Sequence, residues 1–238
     1  MIVFPGQSAA QNHPNLKLGP GLVHAPSENN SAITKKAGVL HHSQNNARWW
    51  IDTHSRRYVS SAQESVIGIV NGKTADGYRV DIGAAHNATL DALAFEGATK
   101  RNKPNLKIGS LVYARVSLAH KDMDPELECF DAQSHKSEGF GELKGGFMLR
   151  CSLQMCRLLL DPSHFLLPRL GQKFPLEVAV GVNGRVWIDA KDSRKTIAVA
   201  RCIEACDPDQ YGITSGRRSR LPLTVDGVGN FLAEMDVA

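Results

Sequence analysis

Between Phe174 and Val180 the apolar residues Phe174, Leu176, Val178 and Val180 alternate with Pro175, Glu177 and Ala179. This period of two predicts a strand. Arg185-Val186-Trp187-Ile188 is a second β-branched and aromatic run, and Asn183-Gly184 stands between the two. That arrangement predicts a hairpin with a type I′ turn, whose two central residues need positive φ. Gly181 then permits a bulge or the close approach of another backbone. Upstream, short apolar-rich runs at Ser65–Val70, Tyr78–Ile82, His86–Leu90, Ser110–Ala119 and Glu126–Phe130 are separated by turn residues, with no long helix between them. They predict a five-stranded closed barrel over 58–130.

The period changes after residue 146. A strand is expected at Phe147–Cys151. Leu153, Cys156, Arg157 and Leu160 then follow helical spacing behind Ser152 as N-cap, with Pro162 as the stop. "DSRKTIAVARCIEACDPD" reads as a second, amphipathic helix, opened by Asp192 or Ser193 and closed before Pro208. Strand, helix, hairpin and helix make an α+β domain over 147–238, with a last helix in "VGNFLAEMDV". The stretch 131–146 is a connector or a further hairpin. Residues 1–57, rich in Gly, Pro, Asn and Ser, form a β-rich N-terminal domain with short strands in "GLVHA" and "AGVLHH" and a loop at "PSENNSAITKKAG". The segment looks too small to hold a core of its own. Its "RWWIDTHSRRYV" carries Trp49 and Trp50, which either stack on bases or, more commonly for such residues, anchor a core or interface.

Composition narrows the function. The chain has 238 residues, 42% hydrophobic and 22% charged, with a net charge of +4. That is an ordinary soluble composition whose charge placement matters more than its sum. "GATKRNKPNLKIG" gathers Lys100, Arg101, Lys103 and Lys107 without one acid, in the loop entering the fourth barrel strand. Pro104 stiffens it. Such cations either contact phosphates, which gives affinity with little sequence preference, or simply solvate a loop. Tyr78 and Phe95 are the barrel's candidates for stacking on bases. Aromatic content of 6% suits a modest binder that gains avidity from neighbours. Arg217, Arg218 and Arg220 are either RNA contacts or a solvated tail. The acidic "HKDMDPELE" could hold a cation through Asp122, Asp124, Glu126 and Glu128, but a turn between two barrel strands explains the same residues without a metal and is the preferred reading. Five cysteines, an odd number, argue for reduced thiols, and Cys202 and Cys206 share one helical face. Their spacings are not those of a zinc knuckle, so no metal is expected. No nucleophile elbow, Walker loop or HExxH is present, so no catalytic residue and no cofactor are expected. The N-terminus does not read as a secretory signal, and no apolar run reaches membrane-spanning length, so an intracellular protein is expected.

The runs "GIVNGK" to "GYRVDIG" and then "GSLVYARV" resemble an S1-type OB-fold. Gly181-Val182-Asn183-Gly184 is similar to the GXXG loop with which KH domains clamp a nucleic-acid backbone, although here strands rather than helices flank it. Together with "ATKRNKP", "PELECFD" and "CIEAC", the order resembles the S1/KH cap subunits of the eukaryotic RNA exosome, in particular those bearing a GxNG variant at Gly181, Asn183 and Gly184. The resemblance implies a non-catalytic protein that binds single-stranded RNA. It implies packing on a ring of phosphorolytic-type subunits with other cap subunits, and RNA handed to associated hydrolytic nucleases. It further implies rRNA processing and the turnover of mRNA and noncoding RNA in nucleus, nucleolus and cytoplasm, with the GxNG serving inter-domain packing rather than RNA. A free-standing RNA-binding factor of translational or regulatory type, or an enzyme with a concealed site, are the competing readings.

Overall fold

A computed structural model describes residues 1–10, 17–25, 31–43, 48–208 and 227–229. The chain divides into two compact units, Met1–Ser55 and Arg56–Ala238.

The N-terminal unit is all β. Its strands are β1 (Ile2–Val3), β2 (Ser8–Ala10), β3 (Lys17–Leu18), β4 (Leu22–His24), β5 (Ala32–Thr34), β6 (Gly38–His42) and β7 (Arg48–Asp52). They form two sheets, β1-β6-β7-β3 and β2-β5-β4. Val3, Leu22, Leu40 and Ile51 are buried together, with Leu18 and Trp49 packed against them. The unit therefore has a small core of its own, contrary to the expectation drawn from its interrupted apolar pieces. One short sheet supplying Val3, Leu40 and Ile51 and another supplying Leu22 suffice to assemble it. The strand Ala32–Thr34 falls inside the segment expected to be a loop, and 26–30 of that segment lie outside the described residues.

The larger unit begins with the barrel: β8 (Ser65–Lys73), β9 (Gly77–Asp81), β10 (Ala88–Phe95), β11 (Leu111–Leu118) and β12 (Glu126–Cys129). The order β12-β10-β9-β8-β11 is closed by pairing of β12 with β11. Five strands were expected here and five close the barrel. β10 runs further than the predicted His86–Leu90, because Ala88, Leu90, Ala92 and Ala94 continue inward alternation through small side chains that carry little hydrophobic signal. A further strand, β13 (Gly141–Leu143), lies within the 131–146 stretch and pairs with β11.

The α+β domain follows with β14 (Phe147–Arg150), α1 (Leu153–Leu160), α2 (Leu166–Lys173), β15 (Leu176–Gly181), β16 (Arg185–Ala190) and α3 (Ser193–Cys206). Its sheet has the order β14-β16-β15. Ser152 caps α1 by accepting from the Met155 N–H at 3.0 Å, and Asp192 caps α3 by accepting from Arg194 N–H. The sequence did not reveal α2, because Pro168 and Gly171 read as breakers. Pro168 is the third residue of the helix, where the N–H has no helical partner to lose, so the proline is tolerated. The core of this domain includes Met155, Leu166, Leu170, Ile188, Val199 and Ile203. Trp187 is 5% exposed and donates its indole N–H to the Gly145 carbonyl at 3.0 Å.

All five cysteines are free thiols. Burial pushes Cys202 up to about 12 and Cys206 up to about 11, which keeps both protonated at neutral pH. Val228 is buried in the same core as α3. Beyond Gly229 the last predicted helix lies outside the described residues, as do Arg217, Arg218 and Arg220.

Met155 is fully buried in this core. Met155→Ala is expected to lower unfolding free energy by about 2–5 kcal/mol through lost burial and the cavity left behind, measured by urea denaturation.

Candidate nucleic-acid interface

The basic loop leaves β10 through a tight turn. Thr99 and Asn102 exchange reciprocal backbone hydrogen bonds of 3.1 and 3.0 Å, which sets Lys100 and Arg101 at the tip. Leu106, 1% exposed, plugs into the barrel core and fixes the loop's second half. Lys73 Nζ donates to Asn105 Oδ1 at 2.7 Å, and Gly109 N–H donates to the Val70 carbonyl at 2.8 Å. These bonds tie the loop back to the first barrel strand. Lys100, Arg101, Lys103 and Lys107 are all exposed, and among the described residues no carboxylate pairs with them. The structure thus brings the four predicted cations together on one pinned loop.

Tyr78 plays a different part from the one its type suggested. Its ring is 7% exposed and packs in the barrel core, so it offers no stacking face. Its hydroxyl donates to the Pro104 carbonyl and accepts from the Leu106 N–H at 3.2 Å. Tyr78 positions the loop that carries the cations. Phe95 is half-buried against the same core. Among the described residues the exposed aromatics are Phe4, Trp50 and Phe147, and none belongs to the barrel.

Carboxylates gather on the outer side of β10 and β12. A groove of about 500 Å³ is lined by Asp76, Asp91, Glu126 and Glu128 above Leu90 and Leu127. It opens where β10 and β12, paired at Thr89–Glu126 and Leu90–Leu127, part before meeting again at Phe95–Cys129. OB-folds generally take nucleic acid on the face of strands two and three, here β9 and β10. Of the four carboxylates only Asp91 lies on those strands, with Asp76 just before β9 and the exposed Arg79 on β9 itself; Glu126 and Glu128 belong to β12, and Asp122 and Asp124 lie in the exposed turn before it. Glu128 is engaged by Arg115, which is buried and also donates to Gln63 Oε1 at 2.8 Å. Among the described residues no three His, Cys, Asp or Glu side chains are grouped to hold a metal.

The GxNG corner sits elsewhere. Gly181 pairs with Arg185, so Val182-Asn183-Gly184 is a three-residue loop rather than the expected two-residue type I′ turn. Only Gly184 has positive φ, +79°. A left-handed residue closing such a loop is the usual three-residue solution. Asn183 is 7% exposed and faces the barrel. Its Oδ1 accepts from the Ile67 N–H at 3.2 Å, and its Nδ2 donates to the Ile67 and Ile82 carbonyls, each at 2.8 Å. Val182 N–H donates to the Ser65 carbonyl at 2.9 Å. A Cβ at Gly181 would stand 2.7 Å from Ile67 N and 2.4 Å from Asn183 Oδ1. The close backbone approach anticipated for this glycine is present, and the corner's polar groups are spent on the barrel.

Arg185 completes the junction and was not singled out by the sequence, although a lone arginine inside an apolar strand must find partners if buried. It is 5% exposed. Nη1 donates to the Asp81 carbonyl at 2.6 Å and the Ile67 carbonyl at 3.2 Å, while Nη2 reaches Asp81 Oδ2 at 2.7 Å. Desolvation pushes the Asp81 carboxyl up, but the Gly83 N–H and the Arg185 guanidinium together outweigh it and hold the group below its ordinary 3.8.

Comparison with known proteins adds a family to this geometry. The S1 domain of "Exosome complex component RRP40" matches residues 58–141, a KH domain matches 146–194, and the "Exosome complex exonuclease Rrp40 N-terminal domain" matches 16–57. Exosome complex component rrp40 of Schizosaccharomyces pombe is 47% identical over 210 residues, spanning 86% of this chain and 87% of that protein. The RRP40 components of Saccharomyces cerevisiae and Homo sapiens are 36% and 35% identical, spanning 86% and 85% of this chain and 88% and 73% of theirs. A crystal structure assigned as an exosome complex RNA-binding protein superposes with a TM-score of 0.59, covering 76% of this chain and 97% of its own. At 22% identity it shows the fold alone.

Asn183→Ala leaves one buried N–H and two buried carbonyls of the barrel without these partners, a loss on the order of 3 kcal/mol by urea denaturation. Single-stranded RNA affinity of the folded variant should stay at the wild-type level. Asp81→Asn should cost about 1.5–3 kcal/mol at neutral pH, because Arg185 stays buried without its counter-charge. The folded pKa of Asp81 is depressed, so the pair's contribution is complete above 3.8 and is lost as pH falls through the lower folded value. The gap in urea midpoint between wild type and Asp81→Asn should therefore close on acidification.

Proposed function

Given that this chain belongs to the RRP40 family of exosome complex components, we propose that it is a non-catalytic, RNA-binding cap subunit of the RNA exosome. In this reading it helps hold a ring of phosphorolytic-type subunits together beside other cap subunits. It guides single-stranded RNA toward the channel for 3′-to-5′ processing and decay by associated hydrolytic nucleases. rRNA processing and the turnover of mRNA and noncoding RNA, in nucleus, nucleolus and cytoplasm, are the corresponding roles and locations.

The observation that carries the RNA part is the loop bearing Lys100, Arg101, Lys103 and Lys107, exposed, unpaired with any carboxylate among the described residues, and pinned by Leu106 and Tyr78. Preset cations lose little conformational freedom on meeting phosphate, and they bind every sequence alike, as a guide for varied transcripts requires. The carboxylates lining the groove over β10 and β12 disfavour phosphate there relative to the loop. The GVNG corner takes no part in this, because its groups hold the barrel.

The test is charge reversal at the loop in the full chain. Lys100→Glu, Arg101→Glu and Lys103→Glu combined should weaken single-stranded RNA binding and flatten its salt dependence by about two log units per log unit of salt. An unchanged salt slope and intact RNA crosslinking within the assembly would remove the loop from the RNA path. Affinity purification at moderate salt should recover the protein with phosphorolytic-fold ring proteins. Elution alone or with ribosomes would favour a free-standing factor.

A further inference from the structure

The N-terminal unit carries a second combination of rings and cations, unconnected with the barrel loop. Trp50 sits on the sheet face opposite the core and is 38% exposed, and Ile51 beside it in sequence is buried. Across the β6–β7 ladder Trp50 is the partner of His41, and the two rings stack with centroids 5.8 Å apart and planes 14° from parallel. Two residues along β7 on the same face, Arg48 pairs with Lys17 of β3, and both side chains are exposed. Gly19 follows Lys17 and Leu18. A Cβ there would come within 2.8 Å of Trp50 Cβ, so only a residue without a side chain fits beside the indole. The result is a shallow depression of about 270 Å³ lined by Lys17, Leu18, Gly19, Pro20, Arg48 and the two tryptophans, with no carboxylate among the described residues.

Charge and size choose the occupant. Rings set among cations, with no acid in the lining, are complementary to a stacked base flanked by phosphates. Seven lining residues fall well short of the roughly 20–30 per side of a standard protein–protein interface. We propose that this depression is a second single-stranded nucleic-acid site, in which Trp50, steadied by its stack on His41, stacks a base while Lys17 and Arg48 take the adjacent phosphates. Trp49, half-buried against the unit's core, supports the platform from below. The inference rests on the RNA-binding reading above but names a different part of the chain, so the two can fail separately.

The probe is a short single-stranded RNA containing 4-thiouridine, bound and photo-crosslinked to the full chain, with crosslinks mapped by mass spectrometry. Crosslinks are expected at Trp50 or its β3 and β7 neighbours as well as in the loop. Trp50→Ala should weaken binding roughly tenfold, and Trp50→Leu, which keeps the bulk without the π face, should weaken it similarly. Trp50→Phe should retain most of the affinity, which a merely structural role for the ring would not predict. The Lys100, Arg101 and Lys103 reversal should leave the Trp50 crosslink in place. No crosslink in the N-terminal unit, or unchanged affinity for Trp50→Ala and Trp50→Leu, overturns the second site while leaving the loop reading intact. Wild-type RNA affinity together with loss of co-purifying proteins on Trp50→Leu would make the face a protein interface and also overturn it.

Discussion

The larger unit turns on a polar knot between two domains. The side chains of Asn183 and Arg185, both almost fully buried, give their hydrogen bonds to two points of the barrel, Ile67 on β8 and Asp81–Ile82 at and just after the end of β9. A buried guanidinium is costly unless charge and hydrogen bonds replace water, and a carboxylate with two backbone carbonyls does so here. Apolar surface alone would let the barrel and the α+β domain slide across each other. Directional bonds do not. The loop conformation follows from the knot: Gly181 must lack a side chain so that Ile67 can approach, and Gly184 turns left-handed where the loop closes behind Asn183.

Charge is unevenly placed around that fixed joint. The β10–β11 loop is basic and the groove over β10 and β12 is lined by carboxylates, so in the proposed role it is the loop that offers cations to a polyanion. The loop can do this because it is anchored from beneath. Leu106 fills core space, Tyr78 clamps the backbone on both sides of Asn105, and Lys73 holds the Asn105 side chain. A residue type associated with stacking on bases thus acts as a strut.

Much of this was legible in the amino acids. Period-two alternation located the barrel strands, Ser152 and Asp192 announced their helices, and the acid-free run at 100–107 identified the loop. What stayed hidden had local causes. α2 carries a proline and a glycine whose positions in the helix, not their presence, decide tolerance. The reach of β10 depended on alanines, which signal burial weakly. Tyr78 could not be assigned an inward or outward role from its type, because the same ring suits either. The partners of Arg185 are 104 and 118 residues away in sequence, and no spacing rule finds a contact of that range. The core of the N-terminal unit was missed because its members come from strands of two to five residues.

The bonds from Asn183 have a property that side-chain contacts lack: every one ends on main-chain atoms of the barrel. They address the path of the chain, not the identity of its residues. Substitutions at Ile67 or Ile82 that keep the strands in place leave the joint's hydrogen bonds available, so the barrel's sequence is free to drift beneath it. A one-residue insertion or deletion in β8 is another matter. It would move an N–H and a carbonyl out of register with one amide, and no compensating replacement of a barrel side chain could restore both.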